Sequence, residues 1–477
     1  MKVLFIYPTP PAEHIPAGYN FGIGYCSAVL KTGGHQTDLL ITDRPDKNTI
    51  RQKIASFQPD LIGISATTDQ FALAKLIVKI INDNYTVPII IGGVHATVAP
   101  DDAINTPGIF GICVGEGEAA LLELANALEN GGETRNIQNL WLKSGNDIIK
   151  NPVRPLLQEL DQLPFCDREI FNYNRLMAST SDGAEFIAGR GCPFSCSFCI
   201  NAVLQNLYKN KGKYVRLRSA DNLLKEIRHI NEKYKIKIIT FHDDTFSLNR
   251  AWLADFCLKY SREFKIPFRC NARADNIDEE LLGQLKEAGC EQLWVGVESG
   301  DEHLRNTVLK KQVRRETIVA AFRLIKKYGI KSRAFNMIGV PYETRATAEK
   351  TIELNREINA DLKCLTVFRP YPGTELYDLC KSKGWISNRQ IHGYYEDSIL
   401  NQPSITGEDV YFYHKIYFYA MYAPFLVPFL RWLHGIRIFR RSLFCILQPK
   451  WLFYFLHNLA GKIMPLAAVI ALTQPAG

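Results

Sequence analysis

The stretch Arg190-Gly191-Cys192-Pro193-Phe194-Ser195-Cys196-Ser197-Phe198-Cys199 holds three cysteines at the spacing CxxxCxxC. It follows the apolar run Phe186–Ala188, which opens a long series of alternating strands and helices. In barrels built from such units, active sites lie on the face formed by the loops that follow the strands. The three cysteines are therefore predicted to lie in a functional site at the end of the first strand of this series.

The donor atoms of this loop indicate an iron–sulfur cluster. Three thiolates on one short loop can bind three irons of a [4Fe–4S] cluster and leave the fourth iron without a protein ligand. A structural zinc site is one alternative, but such a site takes four ligands, usually in two separated pairs. The only imidazole nearby that could serve as a zinc ligand is that of His229, which falls in a predicted helix. The other alternative is that the three cysteines are grouped by chance.

Apolar runs separated by helical stretches continue through residues 181–390 and are predicted to form one domain. The predicted strands are Phe186–Ala188, Ile236–Phe241, Phe268–Asn271, Gln292–Val297, Arg333–Ile338 and Cys364–Phe368. Six βα units fit a partial, TIM-like (β/α)6 barrel better than a closed barrel of eight.

The first 135 residues also alternate apolar strands with helices, and they are predicted to form an α/β domain of their own. The predicted strands are Lys2–Tyr7, Thr37–Ile41, Asp60–Ser65, Pro88–Ile91 and Gly108–Val114. Such strands predict a doubly wound (Rossmann-like) parallel sheet, whose ligand binds beyond the carboxyl ends of the strands. Because no GxGxxG follows the first strand, dinucleotide binding is not favoured. Residues 136–180 are predicted as a hairpin and linker, with Leu140–Lys143 opposite Asp147–Lys150.

The net positive charge is concentrated near the carboxyl end. The 477 residues include 57 Lys and Arg and 49 Asp and Glu, and residues 411–477 carry seven of the eight excess charges because they contain no acid. The first 410 residues are close to neutral, which argues against a nucleic-acid-binding surface. No secretory signal is expected at the start, so the 12 cysteines are predicted to be cytoplasmic thiols rather than a disulfide scaffold.

Residues 391–477 are predicted to form a basic, apolar helical region. No apolar run in it reaches the roughly 20 residues that span a bilayer. Arg431, Arg437, Arg440 and Arg441 interleave with aromatic side chains, which is typical of helices lying on an anionic membrane surface. A helical cap packed on the barrel explains the same residues equally well. Membrane contact through residues 411–477 would place the protein peripherally on the inner face of the membrane and would favour a lipid-like substrate.

The cysteine loop, its place after the first strand and the six βα units resemble the radical S-adenosylmethionine (SAM) enzymes. The resemblance implies that Cys192, Cys196 and Cys199 hold a [4Fe–4S] cluster that cleaves SAM to a 5′-deoxyadenosyl radical. It also implies a reducing partner such as flavodoxin or ferredoxin. By position it implies the SAM-binding residues Phe198, Asp243, Asp244, Arg273 and Glu298. A helix cap at Asp244 and a surface ion pair at Arg273 are the structural alternatives.

The strand ends of the first domain resemble the cobalamin-binding domain that precedes the barrel in one subfamily of these enzymes. The resemblance implies the cobalamin-binding residues Ser65, Gly92, Gly93, His95, Thr97, Gly115, Glu116 and Gly117. The DxHxxG motif that supplies a histidine to cobalt is absent, because His14, His35 and His95 all lack an Asp two residues before them. A degenerate domain that binds no cobalamin, with His95 as a structural histidine, is the alternative.

Similarity to the class B methyltransferases of this subfamily implies methyl transfer to an unactivated carbon of an apolar or lipid-like small molecule. An oxidative cyclase or ring-rearranging enzyme without methyl transfer is the second hypothesis, and a membrane-associated scaffold with an inactive barrel is the third. A methylthiotransferase is disfavoured, because the first domain has only Cys26 and Cys113 where a second cluster needs three cysteines. No catalytic acid or base is assigned, since hydrogen abstraction by a radical needs none.

Overall fold

The computed structural model describes residues 1–9, 18–179, 183–387, 398–422 and 424–435. The chain divides into two compact units. The first comprises Met1–Asn271, Gln284–Glu291 and Pro370–Asp378, and the second comprises Ala272–Gly283, Gln292–Arg369 and Leu379–Gly477. Four residues named in the sequence predictions, His14, Arg437, Arg440 and Arg441, lie outside the described residues.

The first unit opens with a parallel sheet that a hairpin extends. The strands are β1 (Lys2–Pro8), β2 (Gln36–Thr42), β3 (Leu61–Ser65), β4 (Ile89–Gly92), β5 (Gly111–Cys113), β6 (Leu140–Ser144) and β7 (Asp147–Lys150). Among the described residues they run in the order β2-β1-β3-β4-β5-β6-β7, with β1 to β5 parallel and β6 and β7 antiparallel. The doubly wound sheet agrees with the prediction. The hairpin, predicted as a separate segment, instead joins this sheet because Gly111 pairs with Leu142.

Helices cover the central strands of this sheet, whose apolar residues are buried. The helices are α1 (Phe21–Thr32), α2 (Lys47–Phe57), α3 (Phe71–Asn82), α4 (Val94–Val98), α5 (Pro100–Ile104) and α6 (Glu118–Asn130). On α3, Ala74, Ile77 and Ile81 recur at helical spacing and pack in one core with Ile62 and Ile91 of the sheet. Each large aliphatic side chain buried in this way contributes about 1.5–3 kcal/mol.

The barrel series begins within the first unit. Its elements there are α7 (Tyr173–Ser179), β8 (Gly183–Phe186), β9 (Gly189–Arg190), α8 (Ile200–Leu207), β10 (Arg216–Leu217), α9 (Ala220–Tyr234), β11 (Ile238–Phe241), α10 (Arg250–Glu263) and β12 (Phe268–Ala272). The strands β8, β11 and β12 pair in parallel. The short strands β9 and β10 pair antiparallel, with Arg190 opposite Arg216. This pairing fixes both ends of the segment that contains the cysteine loop.

The rest of the chain continues the alternation of helices and strands. Its elements are α11 (Glu279–Glu287), β13 (Cys290–Glu298), α12 (Arg315–Lys327), β14 (Lys331–Ile338), α13 (Arg345–Ile358), β15 (Leu362–Val367), α14 (Glu375–Ser382), α15 (Gly407–Tyr422) and α16 (Val427–Gly435). In the second unit β13, β14 and β15 pair in parallel. The βα order of the two strand sets is that of the predicted partial (β/α)6 barrel.

The carboxyl-terminal helices of the second unit have a buried face and an exposed face. Ile416 and Tyr417 of α15 are fully buried in one core with Ile338 and Leu365 of the strands. This part of the region is therefore a helical cap, as one of the two alternatives predicts. Phe425 in the turn before α16 is 74% exposed, and Phe429 and Trp432 on α16 are 56% and 63% exposed. Within the described ranges, every helix is too short or too polar to cross a membrane.

Candidate functional site

The three cysteines lie between β9 and α8 of the first unit. Cys196 is buried, and Cys192 and Cys199 are half-buried. The backbone N–H of Cys199 donates to the carbonyl of Cys196 at 3.0 Å, which places these two residues in one turn. Cys199 is the N-cap of α8, where the helix dipole favours a negative charge such as that of a thiolate. Burial raises the pKa of the Cys199 thiol, against hydrogen bonds from the backbone and side chain of Asn201.

The side-chain amide of Gln205 holds the cysteine loop in its shape. Its Nε2 donates to the carbonyl oxygens of Cys192 at 2.6 Å and Phe194 at 3.1 Å, and its Oε1 lies 3.0 Å from the hydroxyl of Ser195. Phe198, predicted to bind SAM, is half-buried on the same loop. The loop conformation is thus fixed by the helix that follows it.

These residues fit a [4Fe–4S] cluster by the chemistry of their donor atoms. Three thiols lie on one short loop, and no disulfide takes any of them up in the described part of the chain. Among the residues that the structure describes, no group of His, Cys, Asp or Glu side chains converges tightly enough to hold a single metal ion. A structural zinc site takes four protein ligands, and this loop supplies three.

The acidic pair after β11 divides into one inward and one outward carboxylate. Asp243 is buried and accepts backbone hydrogen bonds from Ala188 at 2.9 Å and Gly189 at 2.7 Å. Burial raises the pKa of Asp243 to about 7, although both N–H groups favour its charged form. Asp244 as a whole residue is exposed, but desolvation by the surrounding protein raises the pKa of its carboxyl, against a hydrogen bond from Asn201 that lowers it. Both aspartates were predicted to bind SAM. In the structure Asp243 instead binds the backbone of the strand that leads to the cysteines, and only Asp244 faces outward.

In the second unit, Arg273 and Glu298 meet at Lys311. The guanidinium of Arg273 pairs with Asp275 at 2.9 Å and donates to the Lys311 carbonyl at 2.8 Å, while the Lys311 ammonium binds Glu298 at 2.7 Å. Glu298 follows a bulge in β13 and has a φ of 67°, in the left-handed region. Non-glycine residues adopt this conformation at a cost, and residues strained in this way are found at ligand sites as well as at helix ends. Sequence reasoning missed Lys311, which no motif marks.

The predicted cobalamin-binding residues begin at the carboxyl ends of β3 and β4, where Ser65 pairs with Gly92. Gly93 has a φ of 88°, and a Cβ there would lie 2.9 Å from the backbone of Ala66. The hydroxyl of Thr97 donates to the Gly93 carbonyl at 2.9 Å and accepts from the Gly115 N–H at 3.0 Å. Glycines at this edge, beside the 38% exposed Val94, let a large planar group such as a corrin approach the backbone, so the chemistry of these positions fits the group.

The side chain of His95 is buried, and its contacts are with other residues of the first domain. Its Nε2 lies 3.0 Å from an Asp102 oxygen, its Nδ1 lies 3.3 Å from the Thr68 hydroxyl, and its ring stacks on Phe71. The side chain is 3% exposed. The prediction that His95 binds cobalamin directly is therefore not supported, and the structural alternative describes it better.

The loop after β5 is joined to the strands that flank the cysteine loop. Arg216 donates to both oxygens of Glu116, and Arg190 pairs with Glu116 and Glu118. Burial alone would raise the pKa of Glu116, but the hydrogen bond from Arg216 and the two guanidinium charges lower it. Glu116 thus serves as a link within the first unit rather than as an open pocket residue.

The two glycines of this loop lie against protein atoms. A Cβ at Gly115 would lie 2.0 Å from the Tyr208 hydroxyl, which accepts the Glu116 N–H at 2.7 Å. A Cβ at Gly117 would lie 3.4 Å from the sulfur of Cys113. These neighbours explain why glycine occupies both positions, and the cobalamin-binding role of Gly115 and Gly117 stays a prediction.

Several residues that shape the site were not predicted from the sequence. They are Arg190, Asn201, Gln205, Tyr208, Tyr214 and Arg216. One signal was available, because Asn201 and Gln205 are four residues apart on α8 and therefore share the helix face that meets the loop.

Two family models match the chain. The model of the radical SAM superfamily matches residues 186–354, and that of the B12 binding domain matches residues 16–125. Among solved structures, the radical SAM methyltransferase TsrM of Kitasatospora setae, with cobalamin and a [4Fe–4S] cluster bound, has a TM-score of 0.66 at 18% identity. The alignment covers 81% of this chain and 76% of that one. At this identity the likeness shows the fold.

Curated relatives extend over most of the chain. An uncharacterized methyltransferase of Pyrococcus horikoshii is 30% identical over 433 residues, covering 86% of this chain and 90% of that one. The anaerobic magnesium-protoporphyrin IX monomethyl ester cyclase of Rubrivivax gelatinosus is 26% identical over 395 residues, covering 79% of this chain and 69% of that one. An uncharacterized methyltransferase and a cyclase thus both align with most of this chain.

Proposed function

The chain belongs to the radical SAM superfamily, among the members with a B12-binding domain, and we propose that it transfers a methyl group to an unactivated carbon of an apolar or lipid-like small molecule. The observation that carries this proposal is the link in the first unit between the loop after β5 and the strands beside the cysteine loop. It ties the predicted cobalamin edge to the predicted cluster loop. The methyltransferase from Pyrococcus horikoshii gives further support.

When bound, the cluster, SAM and cobalamin would supply an electron, a hydrogen-abstracting radical and a carried methyl group. The chain's part is to hold and orient these groups. Cys192, Cys196 and Cys199 would bind iron, with Phe198 beside them. Asp244, whose carboxylate faces outward, would accept hydrogen bonds from the amine of SAM.

In the second unit, Arg273 would bind the SAM carboxylate and Glu298 the ribose hydroxyls. Both already carry ion pairs, Arg273 with Asp275 and Glu298 with Lys311. Binding therefore requires these side chains to share or exchange partners. At the cobalamin edge, the backbone around Ser65, Gly92 and Gly93 would approach the corrin, and Thr97 holds that edge in place.

The test is anaerobic reconstitution with iron, sulfide and hydroxocobalamin, followed by the absorption spectrum and the corrin content. Dithionite replaces the predicted flavodoxin or ferredoxin, and SAM with a deuterated methyl group is added with extracts of apolar metabolites. Retained corrin, SAM cleavage and a labelled methyl in a product support the proposal. The Cys196→Ala variant is the control and should lose the cluster and SAM cleavage.

The second candidate function is oxidative cyclisation or ring rearrangement, which the cyclase relative favours. The same experiment separates the two, because a cyclase yields an altered product without the label. A cluster without retained corrin would contradict methyl transfer from cobalamin. A chain that takes up no iron would favour a scaffold with an inactive barrel.

We also propose that the exposed aromatic residues Phe425, Phe429 and Trp432 contact an anionic membrane surface. The rings of Phe429 and Trp432 stack at 6.0 Å, and the sequence from residue 411 onward contains seven basic residues and no acid. Such a surface combines apolar insertion with attraction to anionic headgroups. Access to membrane lipids would account for an apolar substrate.

Sedimentation with vesicles tests this contact. The full chain should bind vesicles containing phosphatidylglycerol and bind neutral phosphatidylcholine vesicles less. The variant Phe429→Ser/Trp432→Ser should lose most of the binding. Leu258→Ser, which alters a 52% exposed apolar residue on α10, is the matched control and should bind as the wild type does. Equal binding by both variants would contradict the proposed surface.

A further inference from the structure

Asn201 lies two residues after the third cysteine and donates a hydrogen bond to its sulfur. The Nδ2 of Asn201 is 3.7 Å from the Sγ of Cys199. Asn201 is 5% exposed, although it belongs to the first turn of α8, where a polar residue commonly faces water. A buried amide requires partners for its N–H and C=O groups, so its position is specific.

Tyr214 fixes the orientation of this amide. Its hydroxyl donates to the Oδ1 of Asn201 at 2.7 Å. A thiolate can only accept hydrogen bonds, so the Nδ2 must face the sulfur while Oδ1 faces the tyrosine. Tyr214 lies in the loop between α8 and β10, so the amide is held by a segment outside its own helix.

The same amide also reaches the outward carboxylate after β11. Desolvation raises the pKa of Asp244, and a hydrogen bond from Asn201 opposes that rise. An amide nitrogen carries two hydrogens, so Asn201 can donate to Asp244 as well as to Cys199. Asn201 therefore connects a predicted cluster ligand to the residue proposed to bind the SAM amine.

We propose that Asn201, held by Tyr214, is a positioning residue that raises the reduction potential of the cluster through its hydrogen bond to Cys199. Reduction of a cluster adds negative charge to its iron and sulfur atoms. A hydrogen bond to a ligand sulfur stabilises that charge and so raises the potential. The inference rests on the cluster of the proposed function and is independent of methyl transfer.

The test is a potentiometric titration of the reconstituted full-length protein, followed by the electron paramagnetic resonance signal of the reduced cluster. Asn201→Leu keeps the side-chain size and removes the amide, and its midpoint potential should be more negative than that of the wild type. Tyr214→Phe removes only the hydroxyl, and it should shift the potential in the same direction by a smaller amount. Asn206→Leu, at an exposed position of α8, should match the wild type.

Iron and sulfide content per chain identifies variants that fail to assemble. If Asn201→Leu holds a full cluster at the wild-type potential, the inference is overturned. If Asn201→Leu fails to assemble, Tyr214→Phe decides, because an unchanged potential in that variant also overturns the inference. A wild-type chain that binds no iron overturns the proposed function itself, whereas an unshifted potential in a SAM-cleaving protein overturns only the role of Asn201.

Discussion

Arg216 donates two hydrogen bonds to the carboxylate of Glu116, at 2.5 and 3.2 Å, across 100 positions of the chain. The side chain of Arg216 is 3% exposed and that of Glu116 is 24% exposed. Bidentate pairs of this kind are among the stronger hydrogen-bonded contacts in proteins. This contact joins the first sheet to the segment that carries the cysteine loop.

Replacement of Glu116 by Gln should destabilise the first unit. The substitution leaves Arg216 buried without its charge partner, which we expect to lower the free energy of unfolding by about 1–3 kcal/mol. Urea unfolding followed by circular dichroism measures the change. Glu123→Gln is the matched control, since its pair with Arg154 leaves the carboxylate 50% exposed. If Glu123→Gln lowers the free energy of unfolding as much as Glu116→Gln does, burial of the Arg216 pair is not the cause.

The Gly115→Ala substitution should be more costly than Gly145→Ala. Both glycines have positive φ, 83° and 61°, so each pays roughly 1–2 kcal/mol for the left-handed conformation. At Gly115 the new Cβ would also lie 2.0 Å from the Tyr208 hydroxyl, whereas nothing lies within 4 Å at Gly145. Overpacking adds about 1–3 kcal/mol to the loss of unfolding free energy at Gly115. Adding Tyr208→Phe to Gly115→Ala should recover part of the lost unfolding free energy. If it recovers none, the whole loss comes from the backbone conformation at residue 115.

Glu343 should make the stability of the protein fall as the pH rises. The carboxyl is fully buried and accepts from the Gly339 N–H. Burial raises its pKa to about 8, against two backbone hydrogen bonds. The folded state therefore binds the proton more tightly than the unfolded state between the ordinary carboxyl pKa and about pH 8. In that window the unfolding free energy should fall by up to about 1.4 kcal/mol per pH unit.

The variant Glu343→Gln tests this pH dependence because it keeps the shape and removes the titration. Unfolding in urea at pH 5 and pH 8 should show a smaller difference in the variant than in the wild type. At pH 8 the variant should be at least as stable as the wild type. An unchanged difference between the two pH values would show that Glu343 is not the group responsible.

Gln205→Ala should loosen the cysteine loop without removing a ligand. The substitution deletes the hydrogen bonds to the carbonyls of Cys192 and Phe194, so the loop loses its fixed shape. Residues that orient metal ligands typically change metal affinity by about 10-fold or more. The rate of iron release to a chelator should rise correspondingly. Asn206→Ala, at the exposed neighbouring position, should release iron at the wild-type rate.

The strands and the cysteine loop could be predicted from the sequence because local patterns determine them. Apolar runs buried on both faces identify parallel strands, and β1 was predicted as Lys2–Tyr7 and is observed as Lys2–Pro8. The cysteine spacing gave the cluster loop because three ligands lie within eight residues of chain. The position of Asp243 and Asp244 after β11 could be predicted from the sequence, but the directions of their side chains could not.

The remaining features depend on contacts between distant parts of the chain. Whether Asp243 points inward is decided by the backbone of Ala188 and Gly189, which only the pairing of β8 with β11 brings close. The role of Glu116 depends on Arg216, and that of Glu298 depends on Lys311. Such pairs carry no sequence spacing of their own, so a single sequence does not reveal them.

The antiparallel hairpin β6–β7 has a consequence for how the first domain can be handled as a fragment. Its outer strand is four residues long, largely exposed and ends in Asp147 and Lys150. A short, charged edge strand resists pairing with other chains, whereas β5 alone would present the unprotected apolar edge Gly111–Cys113. A fragment that ends at residue 135 would leave the edge of β5 free to pair with strands of other chains, and we expect it to aggregate. A soluble fragment must therefore extend beyond Lys150.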